Sequence, residues 1–250
     1  MAPVAPARST LGAVTDPLLP AAVLWDMDGT IIDTEPYWMA EEERLVHEAG
    51  GTWSTQDSLD LVGNDLRDSA AIILERTPVT GTPEQVVDQL LSGVVARTRD
   101  HVPWRPGARE LLEECVARGV PTALVTMSWT SLADVLLQAL PPATFTTVVT
   151  GDGVSRGKPH PDPYLEAARR LRVAPAQCLA IEDSPTGARS STAAGVPTVA
   201  VPHIVAVPEM AGLTTLPSLA GVGLERLAGL WRDLRDQTAT GSAASSAGAV

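Results

Sequence analysis

One short segment limits the folds open to this chain: an apolar run over 21–25 that ends in two carboxylates, Asp26 and Asp28. A continuous apolar run of this length is typical of a strand buried on both faces of a parallel sheet. Ligands of such sheets bind beyond the carboxyl ends of the strands, and Gly29 permits the chain to turn sharply there. We therefore expect an α/β fold with a functional site that contains both carboxylates.

The second half of the chain alternates helix and strand signals. Such alternation favours a parallel sheet, because parallel neighbours are joined by helical crossovers. The first strand, 21–25, would belong to the same sheet. We predict helices over 107–118, 130–140, 161–171, 185–194 and 224–235, and strands over 121–126, 146–149, 178–181 and 198–201.

The segment between the first strand and this alternating region shows helix signals only. Each of four helix starts carries a signal of the first turn. The signal is either a side chain that accepts hydrogen bonds from free backbone N–H groups or a proline, which has no N–H group to satisfy. These start signals are Pro36, Ser54 with Asp57, Asp65, and Thr82 with Gln85. Four consecutive helices without a strand predict a separate helical unit.

These patterns together predict the domain organisation. A Rossmann-like parallel-sheet core would comprise 21–33 and 103–236, with an inserted α-helical cap over 34–102. Residues 1–20 are rich in Ala and Pro and are expected to form a flexible arm. The Gly/Ala/Ser composition of 237–250 predicts a disordered tail. Neither terminus is expected to contribute to function.

Charge and composition exclude several classes of partner. The formal net charge is −12 and no basic run is present, so nucleic acid and anionic membranes are not expected partners. No apolar run reaches the length of a membrane helix, and the N-terminus lacks a signal-peptide pattern. We expect a cytoplasmic monomer. Cys115 and Cys178 are isolated and are expected to be reduced core thiols.

Seventeen of the eighteen basic residues are arginine, and Lys158 is the only lysine. A general compositional bias toward arginine, with one lysine retained by chance, would explain this. A second explanation is that position 158 requires a compact ammonium group, which a planar guanidinium cannot replace.

Polar residues follow four separate strands of the predicted sheet. Asp26 ends the first strand, Thr126 ends the second, Lys158 lies in the loop after the third, and Glu182 and Asp183 end the fourth. Because the carboxyl ends of parallel strands meet at one edge of the sheet, we expect these side chains to converge.

These segments resemble the four motifs of the haloacid dehalogenase superfamily, in the group whose helical cap follows the first strand. The resemblance covers about 22–202. The matching residues are Asp26-Met27-Asp28-Gly29-Thr30, Thr126, Gly157-Lys158-Pro159-His160-Pro161-Asp162 and Glu182-Asp183-Ser184.

The resemblance implies roles for these residues. Asp26 would attack phosphorus and form an aspartyl-phosphate, and Asp28 would act as general acid and then base. Thr126, the backbone around Met127, and Lys158 would bind the phosphate. The resemblance implies a small phosphorylated metabolite as substrate, and the similarity of Asp33-Thr34-Glu35-Pro36-Tyr37-Trp38 to sugar-phosphate phosphatases of this group favours a sugar or polyol phosphate.

The same site requires a cation. Like charges about 4 Å apart repel by roughly 4 kcal/mol at an effective dielectric of 20, so four clustered carboxylates need compensation. Oxygen ligands next to a phosphate favour Mg²⁺. By resemblance, Asp26, Asp183 and the backbone carbonyl of Asp28 would hold it, with Glu182 orienting the ligands or their waters.

Small departures from the motifs separate the possible reactions. Asp28 argues against a dehalogenase, and the absence of lysine from 34–102 excludes the Schiff-base branch that cleaves phosphonates. Gly63, Asn64 and Arg67 of the cap are expected to contact substrate, and the single base among them weakens the alternative of a β-phosphoglucomutase-like mutase. A catalytically silent binding module and a phosphatase of broad specificity remain further alternatives.

Other polar and aromatic residues have a structural interpretation. Asp33 and Glu35 would shape the entry into the cap, and Trp38 and Trp53 would pack in its core. The histidines have no spacing typical of metal or catalytic partners and are interpreted as structural or surface residues: His47, His101, His160 and His203.

Overall fold

The computed structural model describes residues 17–62 and 65–247. The strands are β1 (Ala22–Trp25), β2 (Thr122–Val125), β3 (Thr147–Val149), β4 (Cys178–Glu182), β5 (Thr198–Ala200) and β6 (Leu213–Thr215). The helices are α1 (Glu35–Glu48), α2 (Thr55–Leu59), α3 (Leu66–Arg76), α4 (Pro83–Asp100), α5 (Ala108–Ala117), α6 (Thr130–Gln138), α7 (Asp162–Leu171), α8 (Pro185–Ala193) and α9 (Leu224–Ala247).

The strands form one sheet in the order β3-β2-β1-β4-β5-β6, and every neighbouring pair is parallel. The expected α/β fold with a parallel sheet is confirmed. The chain adds β2 and β3 on one side of β1 and then returns to add β4 on the other side. A crevice opens at the carboxyl ends of strands where the order reverses in this way, here between β1 and β4. The sequence patterns missed β6, whose three residues are too few to show a period.

Helices cover both faces of the sheet. Val23 and Trp25 point into a core shared with α5, α6 and α9, whereas Ala22 and Leu24 point into a second core shared with α7. The alternation follows from the two-residue period of a strand. Cys115 and Cys178 are buried free thiols in these two different cores, as expected.

Helices α1 to α4 stand between β1 and α5 and are called here the helical unit. The capping boxes Ser54/Asp57 and Thr82/Gln85 are confirmed, and the Asp65 side chain accepts a hydrogen bond from the amide of Arg67. The unit has its own apolar cluster, which includes Trp53 as expected. Helix α4 also contributes side chains to the main core. This arrangement is consistent with a cap, and a cap as a separate domain stays a prediction.

The two chain segments that connect the helical unit to the sheet lie side by side. The amide of Asp33 donates to the carbonyl of Pro103 (2.8 Å), and the amide of Arg105 donates to the carbonyl of Ile31 (2.8 Å). The unit is therefore attached next to the carboxyl end of β1.

The ends of the described chain differ from the predicted arm and tail. Leu19 and Pro20 are buried, and Leu19 belongs to the main core, so the predicted arm is too long by these residues. The last helix continues to Ala247 through most of the segment predicted to be disordered. Alanine has the highest helix propensity of the residues, so the alanines of this segment favour a helix over the disorder predicted from its glycine and serine.

None of the described helices combines the length and the apolar character needed to cross a membrane. The monomeric state and the cytoplasmic location stay predictions.

Candidate active site

The sheet brings the predicted polar residues to one place. Asp26 follows β1, Thr126 follows β2, and Glu182 and Asp183 close β4, so three adjacent strands deliver them to the same edge. A cavity of about 420 Å³ opens there, between this edge and the helical unit. Asp26, Asp28, Thr126, Lys158 and Asp183 all line the cavity.

Lys158 is held by three acceptors. Its Nζ donates to Asp26 Oδ1 (2.6 Å), Glu182 Oε1 (2.7 Å) and the carbonyl of Val125 (2.8 Å), and the side chain is only 4% exposed. Burial disfavours the ammonium form, but the charges of Asp26 and Glu182 outweigh that effect and raise the pKa of Lys158. The single lysine is therefore a fixed positive charge beside Asp26.

Tyr164, on α7, supports this ion pair and was missed from the sequence. Its buried hydroxyl donates to Glu182 Oε1 (2.5 Å), and its ring centroid lies 5.2 Å from Lys158 Nζ. The sequence did contain a signal for it, a tyrosine among the inward-facing positions of an amphipathic helix. Because a buried hydroxyl needs a hydrogen-bond partner, such a tyrosine predicts a buried polar contact.

Asp28 is surrounded by hydroxyl groups. Thr34 donates to its Oδ1 (2.5 Å), and Ser128 (2.6 Å) and Thr126 (3.4 Å) donate to its Oδ2. Burial raises the pKa of Asp28, and the charge of Asp26 adds to this effect, although the three hydrogen bonds oppose it. A carboxyl group whose pKa is raised suits a proton donor.

The Asp28 contacts include two residues to which sequence patterns gave no role, Thr34 and Ser128. Thr34 is the N-cap of α1, yet its side chain makes no capping hydrogen bond and binds Asp28 instead. The first helix of the helical unit is thus joined directly to the candidate acid.

Three carboxylates form a candidate cation site. One oxygen from each of Asp26, Glu182 and Asp183 lies within 4.8 Å of the others. Asp26 Oδ2 is buried without a hydrogen-bond partner. Burial raises the pKa of Asp183 to about 9, and repulsion from Asp26 and Glu182 adds to the shift. A cluster of carboxylate oxygens, one of them buried without a hydrogen-bond donor, fits the oxygen ligands that a hard divalent cation requires.

The backbone leaves room for this arrangement at Gly29. The residue has a φ of 81°, and a β-carbon built on it would lie 2.1 Å from Asp183 Oδ2. A side chain at this position would displace the carboxylate. Glycine is therefore required both by the turn and by the close approach of Asp183.

The predicted phosphate-binding residues also meet at the cavity. Thr126, Met127 and Ser128 line it in one short loop after β2. The Met127 sulfur accepts a hydrogen bond from the amide of Lys158 (3.1 Å), which ties this loop to the lysine loop. The phosphate-binding roles stay predictions.

The cap residues predicted to contact substrate are not among the described residues that line the cavity. Arg67 does not line the cavity, and its guanidinium lies 5.6 Å from the ring centroid of Trp129. A contact between Arg67 and the substrate therefore stays a prediction. Gly63 and Asn64 lie outside the described residues. The helical unit contributes other lining residues: Thr34, Glu35, Trp38, Glu42, Leu61, Val62, Asp65, Leu66, Ser69 and Leu90.

Trp38 and His203 also line the cavity. Trp38 is half-buried and packs against the apolar cluster of the helical unit, as expected. His203 Nε2 lies 2.9 Å from Asp33 Oδ1, outside the geometry of a hydrogen bond. The side chains at the entry to the helical unit thus contact the loop after β5.

The chain is similar to a known protein family, to curated proteins and to solved structures. A family model described as haloacid dehalogenase-like hydrolase matches residues 23–201. Among curated proteins, the chain is similar to the bifunctional riboflavin kinase/FMN phosphatase of Arabidopsis thaliana, with 32% identity over 188 residues. The match covers 74% of this chain and 49% of that protein, so the chain spans about half of its length.

A second curated relative is matched over most of its length. Hexitol phosphatase B of Escherichia coli (strain K12) is 29% identical, with 72% of this chain and 83% of that protein covered. Among solved structures, CbbY from Rhodobacter sphaeroides in complex with xylulose-(1,5)bisphosphate matches with a TM-score of 0.75 and 26% identity. That match covers 84% of this chain and 99% of the CbbY chain.

Proposed function

The chain belongs to the haloacid dehalogenase-like hydrolases and is a phosphoric monoester hydrolase, and we propose that it works through an aspartyl-phosphate at Asp26 with the help of Mg²⁺. The observation that carries this proposal is the unequal environment of the two Asp26 oxygens. Oδ1 accepts from Lys158, whereas Oδ2 is buried and without a hydrogen-bond partner. An oxygen without a donor keeps its lone pairs for a cation or for phosphorus.

The first step forms the bond between an Asp26 oxygen and phosphorus. As this bond forms, the bond from phosphorus to the leaving oxygen breaks, and Asp28 gives its proton to that oxygen. Asp28 suits this donation because its pKa is raised. Lys158 stays protonated and offsets negative charge on Asp26 and on the phosphoryl group.

The second step releases the phosphate. The Asp28 carboxylate takes a proton from a water molecule as the water oxygen bonds to phosphorus, and the bond from phosphorus to Asp26 breaks. Thr34 and Ser128 hold Asp28 in place for both proton transfers. Mg²⁺, held by Asp26 and Asp183 with the backbone carbonyl of Asp28, would add positive charge next to the phosphoryl oxygens.

A sugar or polyol phosphate is the proposed substrate. The proposal draws on relatives whose names specify such compounds, hexitol phosphatase B among them. A mutase must hold a second phosphate in the cap, and among the described residues of the helical unit that line the cavity none is basic. The geometry therefore favours hydrolysis over mutase activity.

Phosphate release from p-nitrophenyl phosphate and from a panel of sugar and polyol monophosphates tests the function. We expect release with Mg²⁺, loss of release after chelation, and recovery when Mg²⁺ is added back. Absence of release from every compound in the presence of Mg²⁺ would overturn the proposal.

The covalent intermediate has its own test. Acid quenching during turnover, followed by borohydride reduction, converts an aspartyl-phosphate to homoserine, which mass spectrometry can locate. We expect the conversion at Asp26. Conversion at Asp28 or at Asp183 instead would contradict the assignment of the nucleophile.

A further inference from the structure

Four groups surround the ammonium of Lys158, and they come from different parts of the fold. Asp26 follows β1, Val125 ends β2 and Glu182 ends β4, so three of the groups lie at the ends of adjacent strands. Tyr164 comes from α7, and its fully buried side chain packs against the sheet. The helix that follows the lysine loop therefore returns a hydroxyl group to the ion pair of that lysine.

The position of the ammonium depends on its acceptors. An ammonium has three N–H donors, and those of Lys158 are taken by Asp26 Oδ1, Glu182 Oε1 and the carbonyl of Val125. The carbonyl is fixed by the backbone of β2, whereas the two carboxylates can turn about their side-chain bonds. Lys158 therefore stays beside Asp26 only as long as Glu182 keeps its orientation.

The two oxygens of Glu182 are held unequally. Oε1 accepts from Lys158 Nζ (2.7 Å) and from the Tyr164 hydroxyl (2.5 Å). Oε2 has the hydroxyl of Ser184 at 3.5 Å, which is at the limit of a hydrogen bond. Among the described residues, Tyr164 is thus the one donor besides Lys158 that holds this buried carboxylate at short distance.

Building on the proposed function, we propose that the hydroxyl of Tyr164 is a positioning group for phosphoryl transfer, because it fixes Glu182 and thereby keeps Lys158 against Asp26. The tyrosine does not line the cavity, so it acts through these two residues and not on the substrate.

Removal of the hydroxyl would change how much positive charge reaches Asp26. A hydrogen bond to an ionised carboxylate is among the stronger types, and a buried oxygen that loses its donor is costly. Without the hydroxyl, Glu182 Oε1 keeps Lys158 as its sole donor, and the ammonium shifts toward Glu182 and away from Asp26. It then offsets less of the negative charge that develops as the bond from Asp26 to phosphorus forms.

Tyr164→Phe isolates the hydroxyl, because the ring that lies 5.2 Å from Lys158 Nζ is retained. Turnover of p-nitrophenyl phosphate and inhibition by orthovanadate, which imitates five-coordinate phosphorus, are measured with saturating Mg²⁺. We expect kcat to fall by about tenfold or more, Ki for orthovanadate to rise by about tenfold, and KM to stay within about twofold. Because Ki does not depend on the fraction of folded enzyme, a tyrosine that only stabilised the core would leave Ki unchanged.

The single lysine allows a measurement that does not depend on turnover. Lysine labelled with a heavy nitrogen isotope gives one side-chain NMR signal, that of Lys158 Nζ, because the chain contains no other lysine. A buried ammonium with three acceptors exchanges its protons slowly with water. We expect slow exchange in the wild type and faster exchange in Tyr164→Phe, because the ammonium then loses its bond to Asp26.

Tyr37→Phe is the matched control, because Tyr37 is the other tyrosine of the chain and does not line the cavity. Its hydroxyl donates to the carbonyl of His101 (3.1 Å). We expect this variant to keep the kcat, the Ki and the proton exchange of the wild type.

Equal Ki for orthovanadate in Tyr164→Phe and in the wild type would overturn the inference, and so would equal proton exchange at Lys158. A Tyr164→Phe protein that fails to fold would also overturn it, because the hydroxyl would then serve the core and not the reaction. In each of these cases hydrolysis by the wild type leaves the proposed function standing, whereas no hydrolysis by the wild type would overturn both.

Discussion

The two oxygens of the Asp26 carboxylate have different neighbours, and this difference gives the residue its proposed role. Lys158 holds Oδ1 at 2.6 Å and so fixes the orientation of the carboxylate. Oδ2 lies buried without a donor. A buried oxygen in this state is costly unless a ligand binds it, which is typical of functional sites.

The first prediction concerns this carboxylate. Asp26→Asn replaces one oxygen with an amide nitrogen, so the side chain loses its charge and its ability to attack phosphorus. We expect phosphate release from p-nitrophenyl phosphate to fall by at least about 10³-fold. Asp134→Asn, at an exposed position on α6, is the matched control and should retain full rate. Normal turnover by the Asp26 variant would exclude Asp26 as nucleophile.

The second prediction concerns the single lysine. Three acceptors within 2.8 Å enclose the ammonium of Lys158, and a planar guanidinium cannot meet all three in the same space. We expect Lys158→Arg to lower kcat/KM by about 100-fold or more. The reverse exchange Arg156→Lys, in the same loop at an exposed ion pair, is the control. A Lys158 variant as active as that control would mean that compositional bias explains the lone lysine.

At the scale of elements, the turn after β1 connects the sheet to the site. The carbonyl of Met27 accepts hydrogen bonds from the amides of Thr30, Ile31 and Ile32. The amide of Gly29 donates a hydrogen bond to the carbonyl of Ile32. This compact turn places Asp28 under the hydroxyls of Thr34 and Ser128. It also brings the backbone of Gly29 against Asp183.

The third prediction separates backbone strain from displacement of Asp183. Gly29 and Gly50 have almost the same φ, 81° and 82°, but a β-carbon on Gly50 would meet nothing within 4 Å. The left-handed backbone should cost each alanine variant about 1–2 kcal/mol of stability, and Gly29→Ala should cost more because its β-carbon meets Asp183. Only Gly29→Ala should weaken Mg²⁺ binding, by about tenfold or more, as measured by titration calorimetry. Equal Mg²⁺ affinity in the two variants would contradict the proposed metal site.

For the whole molecule, the acidic site links stability to pH and to cations. Burial raises the pKa of Asp183 in the folded protein from its ordinary value of 3.8 to about 9. Between these values the folded state binds more protons than the unfolded state, so the free energy of unfolding should fall as pH rises. A bound cation replaces the proton and opposes this loss.

The fourth prediction follows from that linkage. Urea unfolding in chelator should show a free energy of unfolding that decreases from about pH 5 to about pH 8. Mg²⁺ should stabilise the protein more at the higher pH, because fewer protons then compete for the carboxylates. Asp183→Asn should reduce both effects, and Asp134→Asn should reduce neither. Mg²⁺ stabilisation that is equal at both pH values would be inconsistent with binding at this cluster.

Local patterns were sufficient for the elements and for much of the site. Strand-end residues such as Asp26 and Asp183 could be placed because a parallel sheet gathers the carboxyl ends of its strands. Helix starts such as Thr82 could be placed because capping involves residues only three positions apart. The short strand β6 and the helical end of the chain gave signals too weak or too mixed to predict.

The sequence alone determined the α/β fold, the order of the helices and strands, and the group of residues at the edge of the sheet. These features depend on periodicity and on neighbours close in the chain. Tertiary structure alone decided which hydroxyls reach Asp28 and that Tyr164 supports Lys158. It also decided that Arg67 lies over Trp129 and that Glu42 lines the cavity. Each of those contacts depends on how the helical unit and the other helices pack against the sheet, and no local pattern records the direction that packing gives to a side chain.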